Sequence, residues 1–475
     1  MTSILTAFAA SVAAHPDRVA IVDGKGRQVR FAQLQDRAQG FARAWFARGI
    51  RPGDRVLLAM RLDADLYAAL AALWSLGATA VLPEPAMGLK GVRHAARVAQ
   101  VSAFCSSGLY GVLKYILPEL RGVKHLRPKV LAGADPDLPT PDDADIALIS
   151  FTSGTSGAPK AIPRSHRFLS AQHHAVAPML YSADAERDLV AFPVFVLINI
   201  ASGQTSVLPN WKMSRLAKLQ PRRLERWIKD QNVSRVLLPP ALCEKLGMTK
   251  IPVNLHTVFT GGGPVFPDIL DRLKTAKPDL QMICVYGSTE AEPIAHQDAE
   301  QIGAADHASM LQGQGLLVGH PVPGIQLRIQ GHEIQVAGAH VNRGYLDPAH
   351  DAENKIAEGD TIWHRTGDAG QLDDQGRIWL LGRVGSGVTI TGRQLFPFSV
   401  EVAARRWDGV RQCAMMAEDA GAYLVVSGDP QHMPVWQKNA AEFGINRVVQ
   451  VDDIPMDRRH ASKIDRHALR QKIKD

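Results

Sequence analysis

Hydrophobic and polar residues follow two different periods along this chain, and the two periods alternate. Residues 19–24 and 28–31 alternate apolar with polar positions, which predicts a β-hairpin. Apolar residues recur with helical spacing over residues 32–48, 63–76 and 164–180. Short apolar runs after turn residues predict strands around Val81, Ala103, Val130, 146–151, 188–192, 236–238 and 257–259. Alternating strands and helices of this kind favour an α/β fold with a mainly parallel sheet.

The pattern changes between residues 314 and 381. Short alternating runs at 326–329 and 333–336 are separated by Gly and Asp turns, which predicts a small β-barrel-like subdomain. Mixed helix and strand patterns follow Gly382-Arg383. We therefore predict a large N-terminal domain, residues 1–382, of layered α/β subdomains plus the β-barrel-like subdomain. A small, mobile α+β domain is predicted over residues 383–475.

Composition supports a globular protein of more than one domain. The 475 residues exceed what one hydrophobic core holds, and 46% hydrophobic with 21% charged residues excludes a disordered chain. The net charge is +7, yet no basic stripe interleaved with aromatic residues is present, so nucleic-acid binding is disfavoured. Arg222, Arg223 and Arg226 indicate a solvated helix face. A mild basic excess suits anionic substrates such as ATP or a phosphopantetheine carrier.

Cysteine spacing and apolar runs indicate a cytoplasmic enzyme without a membrane span. The four cysteines are far apart and form no metal-binding pattern, which favours free buried thiols. Residues 1–14 lack the positive start of a signal peptide and predict an amphipathic first helix. The uncharged run 66–82 is shorter than the ~20 residues of a spanning helix. Gly77 divides it into a predicted buried helix and a buried strand.

The segment from Phe151 to Lys160 has the chemistry of a phosphate-binding loop. An apolar strand leads into Thr152-Ser153-Gly154-Thr155-Ser156-Gly157-Ala158-Pro159-Lys160, and a predicted helix follows. Glycines let the backbone approach a polyphosphate, amides and hydroxyls donate to it, and the lysine adds positive charge. The spacing differs from a Walker A loop, so a P-loop NTPase is disfavoured. A flexible surface turn is the alternative for this stretch taken alone.

Further motifs follow in order along the chain. Tyr286-Gly287-Ser288-Thr289-Glu290 ends an apolar run, where an aromatic ring can stack on adenine, a hydroxyl can reach a phosphate and a carboxylate can hold Mg²⁺. Phe259-Thr260-Gly261-Gly262-Gly263 offers a backbone that can lie against a flat base. Thr366-Gly367-Asp368, Leu381-Gly382-Arg383 and Ser462-Lys463 complete the series. Taken singly, these motifs could be turns or a basic tail.

Together these motifs resemble those of the acyl-adenylate-forming (AMP-binding, ANL) superfamily. The usual phosphate loop of that family has Thr and Gly where this chain has Ser156 and Ala161. The resemblance implies a ligase that uses ATP and Mg²⁺, with Lys463, Thr289 and Glu290 catalytic and Glu290 at the metal. It also implies that the nucleotide is bound by Thr152, Ser153, Gly154, Thr155, Ser156, Gly157, Lys160, Gly261, Gly262, Gly263, Tyr286, Gly287, Ser288, Thr289, Asp368, Arg383 and Lys463.

Departures from the family pattern bear on which member this is. Many acyl-CoA ligases carry a histidine that is absent from residues 192–199, and their hinge residue is replaced by Gly385. Residues 84–88, 192–203 and 459–464 resemble the β-lactone synthetases of bacterial olefin biosynthesis, which look like fatty-acid CoA ligases. That resemblance implies that a 3-hydroxy acid is adenylated and that its own hydroxyl displaces AMP. There are two alternatives. The enzyme could pass the acyl group to CoA or an acyl carrier protein, or the chain could be a non-catalytic nucleotide-binding relative.

The expected acid is apolar. Family resemblance places the acyl pocket near His173, 196–201, 261–263 and 286–288, and the candidate lining residues are His173, Val196, Leu197 and Asn199. The apolar side chains of 194–198 indicate an acid without a charged partner group. His173 and His174 could gate the pocket or could be ordinary core or surface residues. The expected partners are a small carboxylic acid and, for the thiol alternative, CoA or an acyl carrier protein, without nucleic acid.

Overall fold

The computed structural model describes residues 3–83, 87–152, 159–390, 392–418, 421–457 and 462–474. Its helices within these ranges are α1 Ile4–Ala14, α2 Phe31–Ala47, α3 Ala64–Ser75, α4 Gly88–Val98, α5 Leu113–Ile116, α6 His166–Leu180, α7 Pro193–Ala201, α8 Pro221–Asp230, α9 Pro240–Leu246, α10 Pro267–Ala276, α11 Ala304–Leu311, α12 Asp351–Asn354, α13 Pro397–Ala404, α14 Met433–Glu442 and α15 Arg466–Lys474.

The described strands are β1 Val19–Val22, β2 Gln28–Arg30, β3 Arg55–Ala59, β4 Thr79–Val81, β5 Ala103–Ser106, β6 Lys124–Leu126, β7 Ile146–Phe151, β8 Ala161–Ser165, β9 Arg187–Val190, β10 Thr205–Val207, β11 Arg235–Leu238, β12 Thr257–Gly261, β13 Gln281–Ser288, β14 Ala291–Asp298, β15 Leu316–Pro321, β16 Ile325–Gln330, β17 Glu333–Gly338, β18 Lys355–Glu358, β19 Thr361–Leu372, β20 Ile378–Arg383, β21 Val388–Ile390, β22 Arg393–Leu395, β23 Val410–Glu418, β24 Gly421–Gly428 and β25 Val448–Val451.

The first sheet has the order β6-β5-β3-β4-β7-β8 and is parallel except for β8. The strand predicted at Val130 is wrong, because the edge strand is β6. Val130 instead packs against α2 at Gly40, where an added Cβ would lie 2.4 Å from the valine side chain. Pro128, just before it, has no N–H to give a strand ladder.

The second sheet is continuous from the N-terminal hairpin to the antiparallel strands of residues 314–383. Strands β1, β10, β9, β11, β12 and β13 pair in parallel, and β14 to β20 extend the sheet with antiparallel pairs. The strands expected to form a β-barrel-like subdomain therefore join the second sheet through the pairing of β14 with β15. The α/β fold class is confirmed.

Helices α1, α2, α3, α6 and α7 pack together in one core with side chains from both sheets, and they separate the sheets. Apolar residues of α8, α9 and α10 cover the other face of the second sheet, and those of α4 and α5 cover that of the first. Parallel strands in such layers direct their carboxyl ends toward one edge, where open α/β folds bind ligands. None of the described helices has the length and apolar character needed to cross a membrane.

The C-terminal residues from 388 onward form their own small structure. Strands β21 and β22 make a hairpin, and β23, β24 and β25 make a three-stranded sheet against α13 and α14. Two apolar clusters, one around Trp436 and one around Leu469, form its core. Helix α13 also packs against β15, β20 and α11 of the larger part. This contact sets where the C-terminal segment 462–474 meets the rest of the chain.

Candidate active site

A cleft of about 2790 Å³ lies where the strand ends of both sheets face the C-terminal part. Its lining includes most of the residues that the sequence motifs nominated: Thr152, Lys160, Gly262, Gly263, Tyr286, Gly287, Ser288, Thr289, Glu290, Asp368, Arg383 and Lys463. Gly261 lines a small adjoining cavity. Ser153, Gly154, Thr155, Ser156 and Gly157 lie outside the described residues. The structure thus brings together side chains that are more than 300 positions apart in sequence.

The two ends of the phosphate-loop motif are joined by a pair of hydrogen bonds. The Thr152 amide donates to the Lys160 carbonyl at 3.0 Å, and the Lys160 amide donates to Oγ1 of Thr152 at 3.0 Å. The Lys160 ammonium donates to Oδ1 of Asn354 at 3.1 Å. The hairpin of β7 and β8 therefore holds Lys160 at the cleft, with its charge directed toward α12.

The Asp368 carboxylate is fixed by two side chains at one end of the cleft. Tyr286 donates its hydroxyl to Oδ2 of Asp368 at 2.9 Å, and Arg383 donates from Nη1 to Oδ1 at 2.8 Å. Gly367 has a φ of +68°, and an added Cβ there would lie 2.6 Å from the Arg383 guanidinium, so this approach requires glycine. The pKa of Tyr286 is raised well above its ordinary value, mainly by burial and secondly by the charge of Asp368. Asp368 is a rigid acceptor that retains lone pairs for further donors.

Replacing Asp368 with alanine is expected to raise the KM for ATP about ten- to a hundredfold. The reason is that a hydrogen bond to a charged acceptor contributes about 1.5–3 kcal/mol, and the change also leaves Arg383 and Tyr286 without their partner. Steady-state pyrophosphate release at varied ATP measures this. Asp374→Ala, a neighbouring exposed carboxylate, is the control. An unchanged KM for Asp368→Ala would remove the residue from the nucleotide site.

Glu290 lies in a charged cluster that the motifs did not reveal. Tyr345 donates its hydroxyl to Oε1 of Glu290 at 2.9 Å, and the ammonium groups of Lys160 and Lys355 lie 5.4 and 5.3 Å from the Tyr345 ring centroid. Burial favours the neutral acid, but His364, Tyr345 and Lys355 outweigh it and lower the pKa of Glu290. The group is therefore a carboxylate at neutral pH.

Burial also governs the two bases of this cluster. It lowers the pKa of Lys355 to about 8, with Lys160 adding to the effect, and lowers the pKa of His364 to about 4, aided by Lys355. Lys355 and His364 are direct partners in the pairing of β18 with β19. Their proximity depends on that strand register, and only knowledge of the pairing could have identified them from the sequence.

Replacing Lys355 with methionine is expected to stabilise the fold while weakening catalysis. Because the pKa of Lys355 falls from 10.5 to about 8 on folding, its charge opposes folding fully below pH 8 and progressively less up to pH 10.5. The free energy of unfolding of the variant should exceed that of the parent by about 1–2 kcal/mol at pH 7. This figure allows for the lost contacts of Lys355 to Asn342 and to the Tyr345 ring. Denaturant unfolding at pH 7 and pH 10 measures the gain, which should shrink at the higher pH.

Lys355→Arg keeps the charge and serves as the control for that experiment, since it should show no such gain. The same two variants should differ in pyrophosphate release, with methionine the slower by about tenfold because a cation beside Glu290 is lost. A Lys355→Met protein less stable than the parent at pH 7 would contradict the account.

Arg164 is a further residue that the motifs missed. Its side chain is buried, and Nη2 donates to the Thr289 carbonyl at 2.7 Å. Its guanidinium carbon also lies 5.3 Å from the Phe168 ring centroid. Arg164 thus fixes the backbone of Thr289 from β8. A lone arginine in a strand carries no recognisable sequence signal.

Of the four residues predicted to line the acyl pocket, one lines the cleft. Leu197 lines it together with Pro193 and Val194 of the same face of α7. Val196 is fully buried against the core, and the side-chain amide of Asn199 donates to Asp188 at 3.0 Å and Ser206 at 3.2 Å. His173 forms a 3.0 Å hydrogen bond with Ser202 and lines neither cavity of the described residues. Val196 and Asn199 point away because α7 presents only one face to the cleft, and His173 lies on α6.

Aromatic and aliphatic side chains form the wall that the sequence did not predict. A cavity of about 30 Å³ beside the glycine loop is lined by Met179, Leu180, Phe192, Phe195, Leu237 and Phe259, with Gly261, Gly262 and Glu292 at its edge. Gly261 admits no side chain, because an added Cβ would lie 2.4 Å from the Val285 carbonyl oxygen. The lining of this small cavity is mainly apolar.

Lys463 reaches the cleft on a loop of the C-terminal part. The amides of Ser462 and Lys463 donate to Oδ1 of Asp457 at 3.0 and 2.8 Å, and Met456 pairs with Ile464. Ser462 lies against the glycine loop, where an added Cβ on Gly263 would be 2.6 Å from the Ser462 Cβ. Oγ of Ser462 also accepts from the Ala241 amide at 3.3 Å. The loop is thus docked where the strand ends of the second sheet open.

An arginine at the end of α13 joins the two parts of the chain. Arg405 is 9% exposed at its side chain and forms a two-bond fork to Asp268, with both distances 2.8 Å. The same guanidinium donates to Glu244 at 3.2 Å and lies 4.6 Å from the Phe266 ring centroid. Arg406 forms a more exposed pair with Asp271 at 2.6 Å. These contacts hold α13, and with it the Lys463 loop, against α9 and α10.

The layered α/β fold, the Asp368 corner, the Glu290 cluster and a lysine delivered by the C-terminal part define an adenylate-forming ligase. The chain belongs to the family of AMP-binding enzymes, whose family model matches residues 8–346. The family expected from the motifs is confirmed.

Relatives and solved structures agree with this assignment. The olefin β-lactone synthetase of Stenotrophomonas maltophilia (strain K279a) is 29% identical, over 92% of this chain and 90% of that protein. The amide bond synthetase of Marinactinospora thermotolerans has the same fold, with a TM-score of 0.82, 22% identity and 99% of both chains covered. The O-succinylbenzoate coenzyme A synthetase of Bacillus subtilis, in complex with ATP and magnesium ion, is also similar, with a TM-score of 0.77, 19% identity and 99% of both chains covered.

Proposed function

We propose that this protein activates an apolar carboxylic acid with ATP, forming an acyl-AMP and releasing pyrophosphate. The observation that carries the proposal is the docking of Lys463 into the cleft that holds Asp368, Arg383 and Glu290. In this proposal Asp368 accepts from the ribose hydroxyls, Tyr286 packs against the adenine, and Lys160 meets the phosphates. Lys463 stabilises the charge that develops as the carboxylate attacks the α-phosphate.

The residues present fit a magnesium ion bound with the nucleotide. Glu290 is ionised and held by Tyr345, and the Thr289 side chain lines the cleft beside it. The described residues contain no group of three or more acidic, His or Cys side chains that could hold a metal ion by themselves. A single carboxylate plus phosphate oxygens is the usual Mg²⁺ environment at such sites. The ion, when bound, would neutralise phosphate charge, and Glu290 would orient it.

For the second step we favour attack by the acid's own 3-hydroxyl. Its oxygen bonds to the acyl carbon, the bond from that carbon to the phosphate oxygen breaks, and AMP leaves as the hydroxyl loses its proton. A tethered nucleophile gains a large effective concentration without a second substrate. The olefin β-lactone synthetase among the relatives supports this product. The coenzyme A synthetase among the structural neighbours supports the alternative, a thiol of CoA or of a carrier protein as acceptor.

The test is mass spectrometry of products from matched plain and 3-hydroxy fatty acids with Mg-ATP, with and without CoA. The proposal expects AMP release from the 3-hydroxy acid without a thiol, and a product lighter than the acid by one water. AMP release that requires CoA would favour the thiol acceptor instead. Failure to form an acyl hydroxamate from any acid would favour a non-catalytic nucleotide-binding relative.

We further propose that the enzyme works in the cytoplasm, where ATP is abundant and thiols stay reduced. Its four cysteines are all free and buried. Burial raises the pKa of Cys105, Cys243 and Cys284 to about 12, so these thiols stay protonated and unreactive. Labelling of the native protein with a thiol reagent should therefore be slow until it unfolds.

A further inference from the structure

Large apolar side chains are exposed in one unusual concentration on the first sheet's outer side. Among the described residues, six of the fourteen exposed large apolar side chains fall within residues 89–116: Leu89, Leu109, Tyr110, Val112, Tyr115 and Ile116. Leu109 is 84% exposed and Tyr115 is 76% exposed. Leu109, Tyr110 and Val112 precede α5, Tyr115 and Ile116 are its last two residues, and Leu89 lies in the first turn of α4. Soluble monomers seldom leave so many apolar side chains together in water unless the patch binds something.

The same stretch is strongly cationic. Residues 88–129 contain eight basic residues and one acid, Glu119, which gives a net charge of +7, equal to that of the whole chain. The basic residues are Lys90, Arg93, Arg97, Lys114, Arg121, Lys124, Arg127 and Lys129. Arg93 pairs with Glu119 and Lys124 lies 4.0 Å from Asp54, whereas Lys90, Arg97 and Lys114 form no ion pair within the described residues. The stretch therefore combines apolar side chains with uncompensated positive charge.

This surface adjoins the cleft. Leu89, Val92, Leu109, Tyr110 and Leu113 line it, and so do the apolar residues Leu62, Leu66 and Leu70. The guanidinium of Arg61 also lies at this surface, where its Nη2 would be 3.7 Å from a Cβ added to Gly108. An apolar path thus runs from the exposed patch to the interior of the cleft.

We propose that residues 88–129 bind the surface of an anionic phospholipid bilayer, with the cleft opening onto it. Exposed Leu, Tyr, Val and Ile side chains can enter the region between headgroups and acyl chains, while Lys and Arg meet anionic headgroups. A second copy of the chain fits this surface poorly, because the cations of Lys90, Arg97 and Lys114 would face the same cations of the other copy. Nucleic acid would attract the cations but would leave Tyr115 and Ile116 in water.

Flotation of the full-length protein with phosphatidylcholine vesicles, with and without phosphatidylglycerol, tests the proposal. The expected result is binding to the anionic vesicles that falls with added salt. Tyr115→Ser with Ile116→Ser should lower the partition coefficient about tenfold or more. Lys90→Ala with Lys114→Ala should lower it about fivefold for each cation removed.

The matched control is Tyr181→Ser with Val253→Ser, which removes two apolar side chains from elsewhere that are at least as exposed, at 78% and 91%. It should bind vesicles as the parent does. None of the six residues changed lines the cleft, so pyrophosphate release with a water-soluble acid should be unaltered in all three variants. Loss of that activity would therefore concern the proposed function and not the bilayer surface.

Three outcomes would overturn the bilayer proposal. The first is equal flotation of the parent and the Tyr115/Ile116 variant. The second is equal binding to vesicles with and without phosphatidylglycerol. The third is self-association of the parent, seen by sedimentation velocity, that the Tyr115/Ile116 variant loses while vesicle binding is absent.

Discussion

Lys463→Ala is expected to slow pyrophosphate release by about two to three orders of magnitude while leaving the fold intact. The large effect follows because the lysine is the cation that the C-terminal part brings to the cleft, and one donor aimed at charge that develops in a transition state contributes about 2.7–4 kcal/mol. The fold should tolerate the change because the Lys463 side chain is exposed and its backbone, not its ammonium, bonds to Asp457.

The measurement is single-turnover pyrophosphate release at saturating ATP and acid, with unfolding by denaturant measured in parallel. Lys472→Ala is the matched control, since it removes an exposed lysine of the same C-terminal segment that contacts Asp453. The control should retain the parental rate. Release from Lys463→Ala within a few-fold of the parent would refute the role of this lysine in acyl-adenylate formation.

The family and most cleft residues could be predicted because the motifs are local. Each motif needs only a few residues in a fixed order, and such order is visible in the sequence. Examples are the segment from Thr152 to Lys160, the glycine before Asp368 and the loop that carries Lys463. Glu290 was predicted for the same reason. Its surroundings were not. Lys355 and His364 reach it through the pairing of β18 with β19, and strand register is set by the whole sheet. Tyr345 reaches it from the segment between β17 and α12, which only the tertiary fold brings to Glu290.

The predicted acyl pocket shows the same limit of sequence-based prediction, here in helix α7. Apolar residues of α7 occur on every face, so periodicity does not tell which face meets the cleft. Leu197 faces it, whereas Val196 and Asn199 face the core, where Asp188 and Ser206 accept hydrogen bonds from the Asn199 amide. The wall formed by Phe195 and Phe259 comes from separate elements that only the tertiary fold brings together. Specificity is therefore the part of the site least accessible to sequence reasoning.

Arg405→Ala should release the C-terminal part from the position that delivers Lys463. Arg405 is nearly buried against Asp268 and Glu244, and breaking a buried pair from one side costs about 3–5 kcal/mol. Asp268 keeps its bond to Arg272, so we expect a smaller loss of docking energy, about 2 kcal/mol. That energy lowers the ratio of docked to undocked molecules by about thirtyfold.

Two measurements separate this docking effect from a chemical one. Pyrophosphate release should fall by about tenfold or more, and proteolysis of the link at residues 384–390 should become faster because the link is no longer held between docked parts. Arg406→Ala is the control, since its pair with Asp271 is more exposed and should contribute at most about 1 kcal/mol. Slower release without faster proteolysis would mean that Arg405 acts inside the cleft and that docking does not depend on it.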